Sequence, residues 1–256
     1  MTVLSTPAPA HAEQRHLVAL GDSYASGLGT RAYDPDSGSC KRSSYAYPAI
    51  DAGRIGATLS FKACAGATTA DVRDDQLGPL SAGTTDVTIT VGGNDVGFRH
   101  VITECAMPRW ASDCNGAIDA ARTTIRHPLP RRLNHLYRAV HALAPSANVV
   151  VVGYPRVFNG EDCNAGTFFS PAEEARLNAT ADLLDRTTRA RAVAHGFAFV
   201  DPRRAFTGHA VCDDPEWING LSRPVSESYH PNRKGQRHYA NLVSRRLDEA
   251  AGATRR

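Results

Sequence analysis

The stretch His16-Leu17-Val18-Ala19-Leu20-Gly21-Asp22-Ser23-Tyr24-Ala25-Ser26-Gly27 decides how this chain is read. An apolar run stops at a glycine, and small polar residues follow at once. A short apolar run of this kind is the mark of a strand buried on both faces, as in a parallel sheet. The same pattern returns at Asp86 to Val91 (DVTITV), Asn148 to Val152 (NVVVV) and Phe197 to Val200 (FAFV). Between these runs lie stretches with helical spacing, Tyr45 to Ile55, Ala117 to Leu143 and Pro171 to His195, and a last one follows from Asn232 to Ala250. Ser170-Pro171-Ala172-Glu173 supplies an N-cap hydroxyl, a proline at the first helical position and an acidic first turn. Strands alternating with helices predict an α/β fold, one parallel sheet covered on both faces. The pieces left as irregular, Thr30 to Ser44, Arg99 to Asn115, Tyr154 to Phe169 and Thr207 to Ser228, each contain a cysteine.

The 256 residues, 42% hydrophobic and 21% charged, are enough for one sizeable core and exclude a collagen, a coiled coil or a disordered chain. No repeat, low-complexity run or linker divides the chain, so a single domain is expected over 15–250, with a tail at 251–256. Residues 1–14, which include the small-x-small sequence Ala10-His11-Ala12, read as the remnant of a signal peptide or a disordered tail. A formal net charge of +3 gives no case for a nucleic-acid partner. No apolar run reaches the length of about 18 residues that a transmembrane helix needs.

Cysteines number six, at Cys40, Cys64, Cys105, Cys114, Cys163 and Cys212, with no C-x-x-C pair that would suggest zinc. Closing them in sequence order, Cys40 to Cys64, Cys105 to Cys114 and Cys163 to Cys212, gives short loops through which nothing must thread. Three such bridges imply an oxidising compartment, hence a secreted protein.

Four short elements carry chemistry. Ser23 stands on the turn after the first strand, where open α/β sheets place their sites, and is the candidate nucleophile. The nearby Gly27-x-Gly29 does not complete a dinucleotide fingerprint, because Ala32 occupies the third position. Asn94, in Gly92-Gly93-Asn94-Asp95 at the end of the clearest strand, offers an amide to a developing oxyanion. Gly66, in Ala65-Gly66-Ala67, offers an unobstructed backbone N–H. His230, in Glu227-Ser228-Tyr229-His230-Pro231-Asn232, is the histidine placed at a loop-to-helix junction, and a serine hydroxyl needs such a base to become a nucleophile. His100 and His209, also in loops, are second choices. Asp22 and Asp95 are expected to brace their turns by accepting backbone N–H bonds.

Taken together, these elements resemble the four conserved blocks of the SGNH or GDSL hydrolases: Ser23 in GDSYASG, Gly66 in the second block, Asn94 in GGND and His230 in the last. The order is right and the likeness runs from His16 to Leu247. With the six cysteines and the segments SSYAYP (43–48) and CAGATT (64–69), the chain looks closest to secreted actinomycete lipases, esterases and phospholipases A1 of that family. The resemblance implies a three-layer α/β/α flavodoxin-like fold, no metal or other cofactor, and an ester or lipid substrate attacked by Ser23 with His230 as base. It further implies an oxyanion hole made by the Ser23 N–H, the Gly66 N–H and the Asn94 amide. The chain is expected to act as a monomer.

The family commonly has an aspartate three residues before the histidine, and here that position is Glu227. Two arrangements stay open: a triad completed by the Glu227 carboxylate, or a Ser-His dyad in which a backbone carbonyl near Glu227 orients the imidazole, the dyad being favoured. Phe158, Phe168 and Phe169 are candidates for an apolar acyl groove, and Arg99 and Arg109 for contact with a phosphate head group. An acyltransferase or carbohydrate acetylesterase would carry the same four elements. A non-catalytic binding module would have no need of all four.

Overall fold

The computed structural model describes residues 14–254. The expectation of a signal remnant therefore falls, but for Gln14, outside the described residues. Among the described residues five parallel strands form one sheet: β1 (His16–Gly21), β2 (Thr58–Phe61), β3 (Asp86–Thr90), β4 (Asn148–Val152) and β5 (Ala198–Val200), in the order β2-β1-β3-β4-β5. The helices are α1 (Ser23–Ser26), α2 (Tyr47–Ile55), α3 (Thr69–Asp71), α4 (Phe98–Ala106), α5 (Cys114–Arg126), α6 (Pro128–Leu143), α7 (Pro171–Ala194) and α8 (Arg233–Thr254). Leu17 to Leu20 and Val149 to Val152 are buried on both faces of the sheet, as their unbroken apolar runs require, and β3 buries Thr88 and Thr90 on the face opposite Val87 and Ile89. Helices α2 and α8 pack together on one side, and α5, α6 and α7 pack together in a second group.

The structure departs from the sequence pattern at four places. The Ala117 to Leu143 stretch is two helices meeting at His127, because Pro128 and Pro130 lack the N–H that a continuous helix would demand and instead open α6. The segment expected to be irregular from Arg99 to Asn115 begins with α4. Strand β2 is an edge strand with only Leu59 and Phe61 as apolar residues, and α8 runs on to Thr254, into the six residues read as a tail.

All three disulfides join the predicted partners: Cys40 with Cys64, Cys105 with Cys114 and Cys163 with Cys212. The Cys105–Cys114 bridge ties the end of α4 to the start of α5. The chain order runs outward in both directions from the β1–β3 pair, so the crevice at the carboxyl ends of those two strands is the place where such sheets bind ligands.

Candidate active site

Ser23 begins α1 directly after β1. Its turn is tight enough to demand glycine at position 21: φ there is +128°, and a Cβ would sit 2.2 Å from the Thr90 carbonyl oxygen. The Gln76 side chain fixes the same residue, accepting from the Gly21 N–H at 2.8 Å and donating to its carbonyl at 2.9 Å. Asp22 caps α1 by accepting the Tyr24 N–H at 2.9 Å. Ser23 itself is mostly covered.

His230 reaches Ser23 from the opposite end of the chain, with Nε2 2.8 Å from Ser23 Oγ. Its Nδ1 lies 2.8 Å from the carbonyl oxygen of Ser228. A carbonyl can only accept, so Nδ1 carries the proton and Nε2 is left with the lone pair that can take a proton from Ser23. Burial pushes the imidazole down to about 4, partly opposed by the Ser228 carbonyl, so that it is neutral across the ordinary pH range. The carbonyl is aimed by Tyr229, whose φ of +60° is unusual for a bulky residue. That conformation is pinned from three sides: the Tyr229 N–H donates to Asn219 O at 2.8 Å, Tyr24 Oη donates to Tyr229 O at 2.7 Å, and the ring packs on Phe158 and Phe169.

The Glu227 carboxylate faces elsewhere. It accepts from Tyr33 Oη at 2.7 Å and lies 3.3 Å from Arg31 Nε. Tyr33 Oη in turn accepts the Gly29 N–H at 3.1 Å, so Glu227 fastens the histidine loop to the loop that follows α1. These loops approach so closely that a Cβ on Gly29 would lie 2.9 Å from the His230 Cβ.

Asn94 follows β3. One of its amide hydrogens goes to Ala67 O at 3.0 Å, which draws the Gly66 turn toward it and leaves the other hydrogen for a ligand. Gly66 is exposed, with φ +87° and open space where a Cβ would be. Asp95 accepts from the Thr69 N–H and hydroxyl at 2.8 and 2.7 Å, the bracing role expected of it. Ser23 and Asn94 open onto a narrow, largely apolar pocket. Its walls include Val101 and Ile102 of α4, Ile125 of α5, Leu177 and Leu184 of α7, and Phe158.

Of the other candidates, Phe169 is buried behind Phe158, and Phe168 is exposed outside the pocket. Arg99 and Arg109 are exposed. His209 stacks on Trp217, and His100 is exposed in a shallow depression that Asn94 also borders. Sequence reasoning missed the wall that α4 contributes, although Phe98, Val101, Ile102 and Cys105 have the i, i+3, i+4, i+7 spacing of a helix face. It also missed the buried Gln76 and Tyr154 and the half-buried Tyr33, polar groups that become recognisable only once their distant partners are known.

A sequence profile of the GDSL-like lipase/acylhydrolase family matches residues 19–238. A lipase of Streptomyces rimosus is 45% identical over 221 residues, which cover 86% of this chain and 81% of the relative. Among solved structures, a phospholipase A1 from Streptomyces albidoflavus superposes with a TM-score of 0.86 at 40% identity, covering 91% of this chain and 99% of the other. An extracellular lipase from Streptomyces rimosus gives a TM-score of 0.84 at 43% identity, covering 92% and 99%.

Proposed function

The chain belongs to the GDSL-like lipase/acylhydrolase family and is a carboxylic-ester hydrolase; from that premise we propose that it cleaves lipid esters through a Ser23-His230 dyad and an acyl-enzyme. The observation that carries the reading is the 2.8 Å contact between His230 Nε2 and Ser23 Oγ, with Nδ1 held by the Ser228 carbonyl. In the reaction, His230 takes the hydroxyl proton as Ser23 Oγ attacks the ester carbonyl, and a tetrahedral oxyanion forms. The Asn94 amide, with the backbone N–H groups of Ser23 and Gly66, stabilises that charge. His230 then returns the proton to the departing alcohol. Water, deprotonated by the same imidazole, releases the acid and restores Ser23.

An orienting carbonyl is weaker than a carboxylate in compensating the imidazolium, but it fixes the tautomer equally well, and tautomer control is a large part of what an acidic third member supplies. The apolar pocket beside Ser23 and Asn94 receives the acyl chain, and this supports lipid esters over acetylated sugars. Three disulfides support export to an oxidising compartment.

Hydrolysis of p-nitrophenyl esters of graded chain length, with and without an added alcohol acceptor, tests the reading. Medium or long acyl chains are expected to be preferred, with water as the main acceptor, and Ser23→Ala is expected to abolish turnover with the thermal midpoint nearly unchanged. Activity in Ser23→Ala within a few-fold of the native enzyme would reject the dyad, and a strict preference for acetate would reject the lipid substrate.

A further inference from the structure

Ser23 and Asn94 stand on separate turns, one after β1 and one after β3, and the charge that develops between them is stabilised only if their spacing is right. The two strands run in register to Gly21 and Thr90, and the Asp22 N–H still reaches Thr90 O at 2.9 Å. Past that bond the turns leave the sheet, and its ladder no longer fixes their distance. Tyr154, just beyond the end of β4, bridges them. Its hydroxyl donates to Asp22 Oδ2 at 2.5 Å and accepts the Gly93 N–H at 3.1 Å. One oxygen therefore joins the residue before the nucleophile to the residue before the oxyanion donor.

Tyr154 is itself firmly placed. Its N–H donates to Asp185 Oδ1 at 2.9 Å, the Arg203 guanidinium lies 3.5 Å from the other oxygen of that carboxylate, and the edge-to-face partner of its ring is Tyr24, at 5.1 Å. At the far end of the bridge, Asp22 Oδ1 holds the Tyr24 N–H. Burial pushes the Asp22 carboxyl up to about 7, and the Tyr154 hydroxyl is the chief group opposing that rise. Such a carboxyl is costly to keep under a nucleophile unless its bonds do something there.

We propose that Tyr154 is a positioning residue for ester hydrolysis, its hydroxyl setting the separation of Ser23 and the Asn94 amide by holding Asp22 and Gly93 at once. The inference rests on the assignment of Ser23 and Asn94 made above. It asks nothing of Tyr154 in substrate contact, and it makes the effect of the hydroxyl conditional on Asn94.

A double-mutant cycle reads that condition. Tyr154→Phe, which keeps the ring and removes only the oxygen, is expected to lower kcat about 10- to 100-fold with KM within about twofold, because an oxyanion donor is misplaced while binding is intact. In an Asn94→Ala background the same change is expected to cost less than about threefold, since there is no amide left to place. Equal losses in the two backgrounds, or a fall in thermal midpoint with kcat unchanged, would overturn the proposal and leave Tyr154 as a stabilising core residue. Should Tyr154→Phe fail to fold, Asp22→Asn replaces it: the asparagine keeps an oxygen for the Tyr24 N–H but sets an amide against Tyr154, and the same dependence on Asn94 is expected. Ser23→Ala serves as the control for the underlying assignment. If it retains turnover the dyad is wrong, whereas if it is dead and the cycle is additive only the role of Tyr154 is wrong.

Discussion

At the scale of single residues, the consequence of desolvating the His230 imidazole is that the proposed base stays free in acid. The imidazole pushed down to about 4 must protonate before it stops accepting from Ser23, so the acid limb of the kcat/KM profile is expected well below the ordinary histidine value of about 6.5. A midpoint at 6.5 or above would contradict the desolvated, carbonyl-bonded state of the ring. Glu227 is a second residue-scale case. Because its carboxylate is engaged by Tyr33 and Arg31 while the Ser228 carbonyl serves the imidazole, Glu227→Gln is expected to reduce kcat by less than about tenfold, against the roughly 10,000-fold effect of removing a true triad acid. A loss above about 1000-fold with circular dichroism unchanged would restore the triad. The sequence made Ser23, Asn94 and His230 legible because glycine turns and a histidine beside a proline mark them locally. It left the orienter open, since whether a glutamate or a backbone oxygen meets Nδ1 depends on the φ of Tyr229 and on Tyr33, 194 positions before Glu227 in the chain.

At the scale of elements, reading succeeded where apolar residues are concentrated, as in the central strands and in Phe197 to Val200 at one edge, and failed where they are sparse or interrupted. Strands β1 and β4 announce themselves by unbroken apolar runs and β3 by Val87, Ile89 and Val91 alternating with small polar residues, whereas β2 lies at the sheet edge with only two apolar residues, so its pattern is diluted. Helix α4 was obscured by Cys105 within it and by the Met107-Pro108 break that follows it, yet it forms one wall of the apolar pocket beside Ser23. Filling that wall is a test of its role. Ile102→Trp is expected to lower kcat/KM for decanoyl esters at least about tenfold while leaving acetyl esters within about twofold, because a larger ring occupies the space that a long chain needs and a short one does not. A parallel decline for both esters would place the acyl chain elsewhere.

For the whole molecule, the disulfides lie outside the sheet, in the segments around its carboxyl ends and along its flanks. With sequence separations of 24, 9 and 49 residues, each is expected to contribute about 2.5 to 4 kcal/mol by restricting the unfolded chain. Titration of the denatured, unreduced protein is expected to find no free thiol, and reduction to lower the thermal midpoint appreciably, with activity lost before the sheet melts. Two or more reactive thiols, or an unchanged midpoint, would contradict this. The connectivity has one more consequence. Each cysteine is bonded to the one next to it in the chain, with no loop enclosing another. A polypeptide emerging N-terminus first into an oxidising medium therefore meets each correct partner as the next thiol to arrive, and can lock three loops one after another without having to undo a wrong bridge.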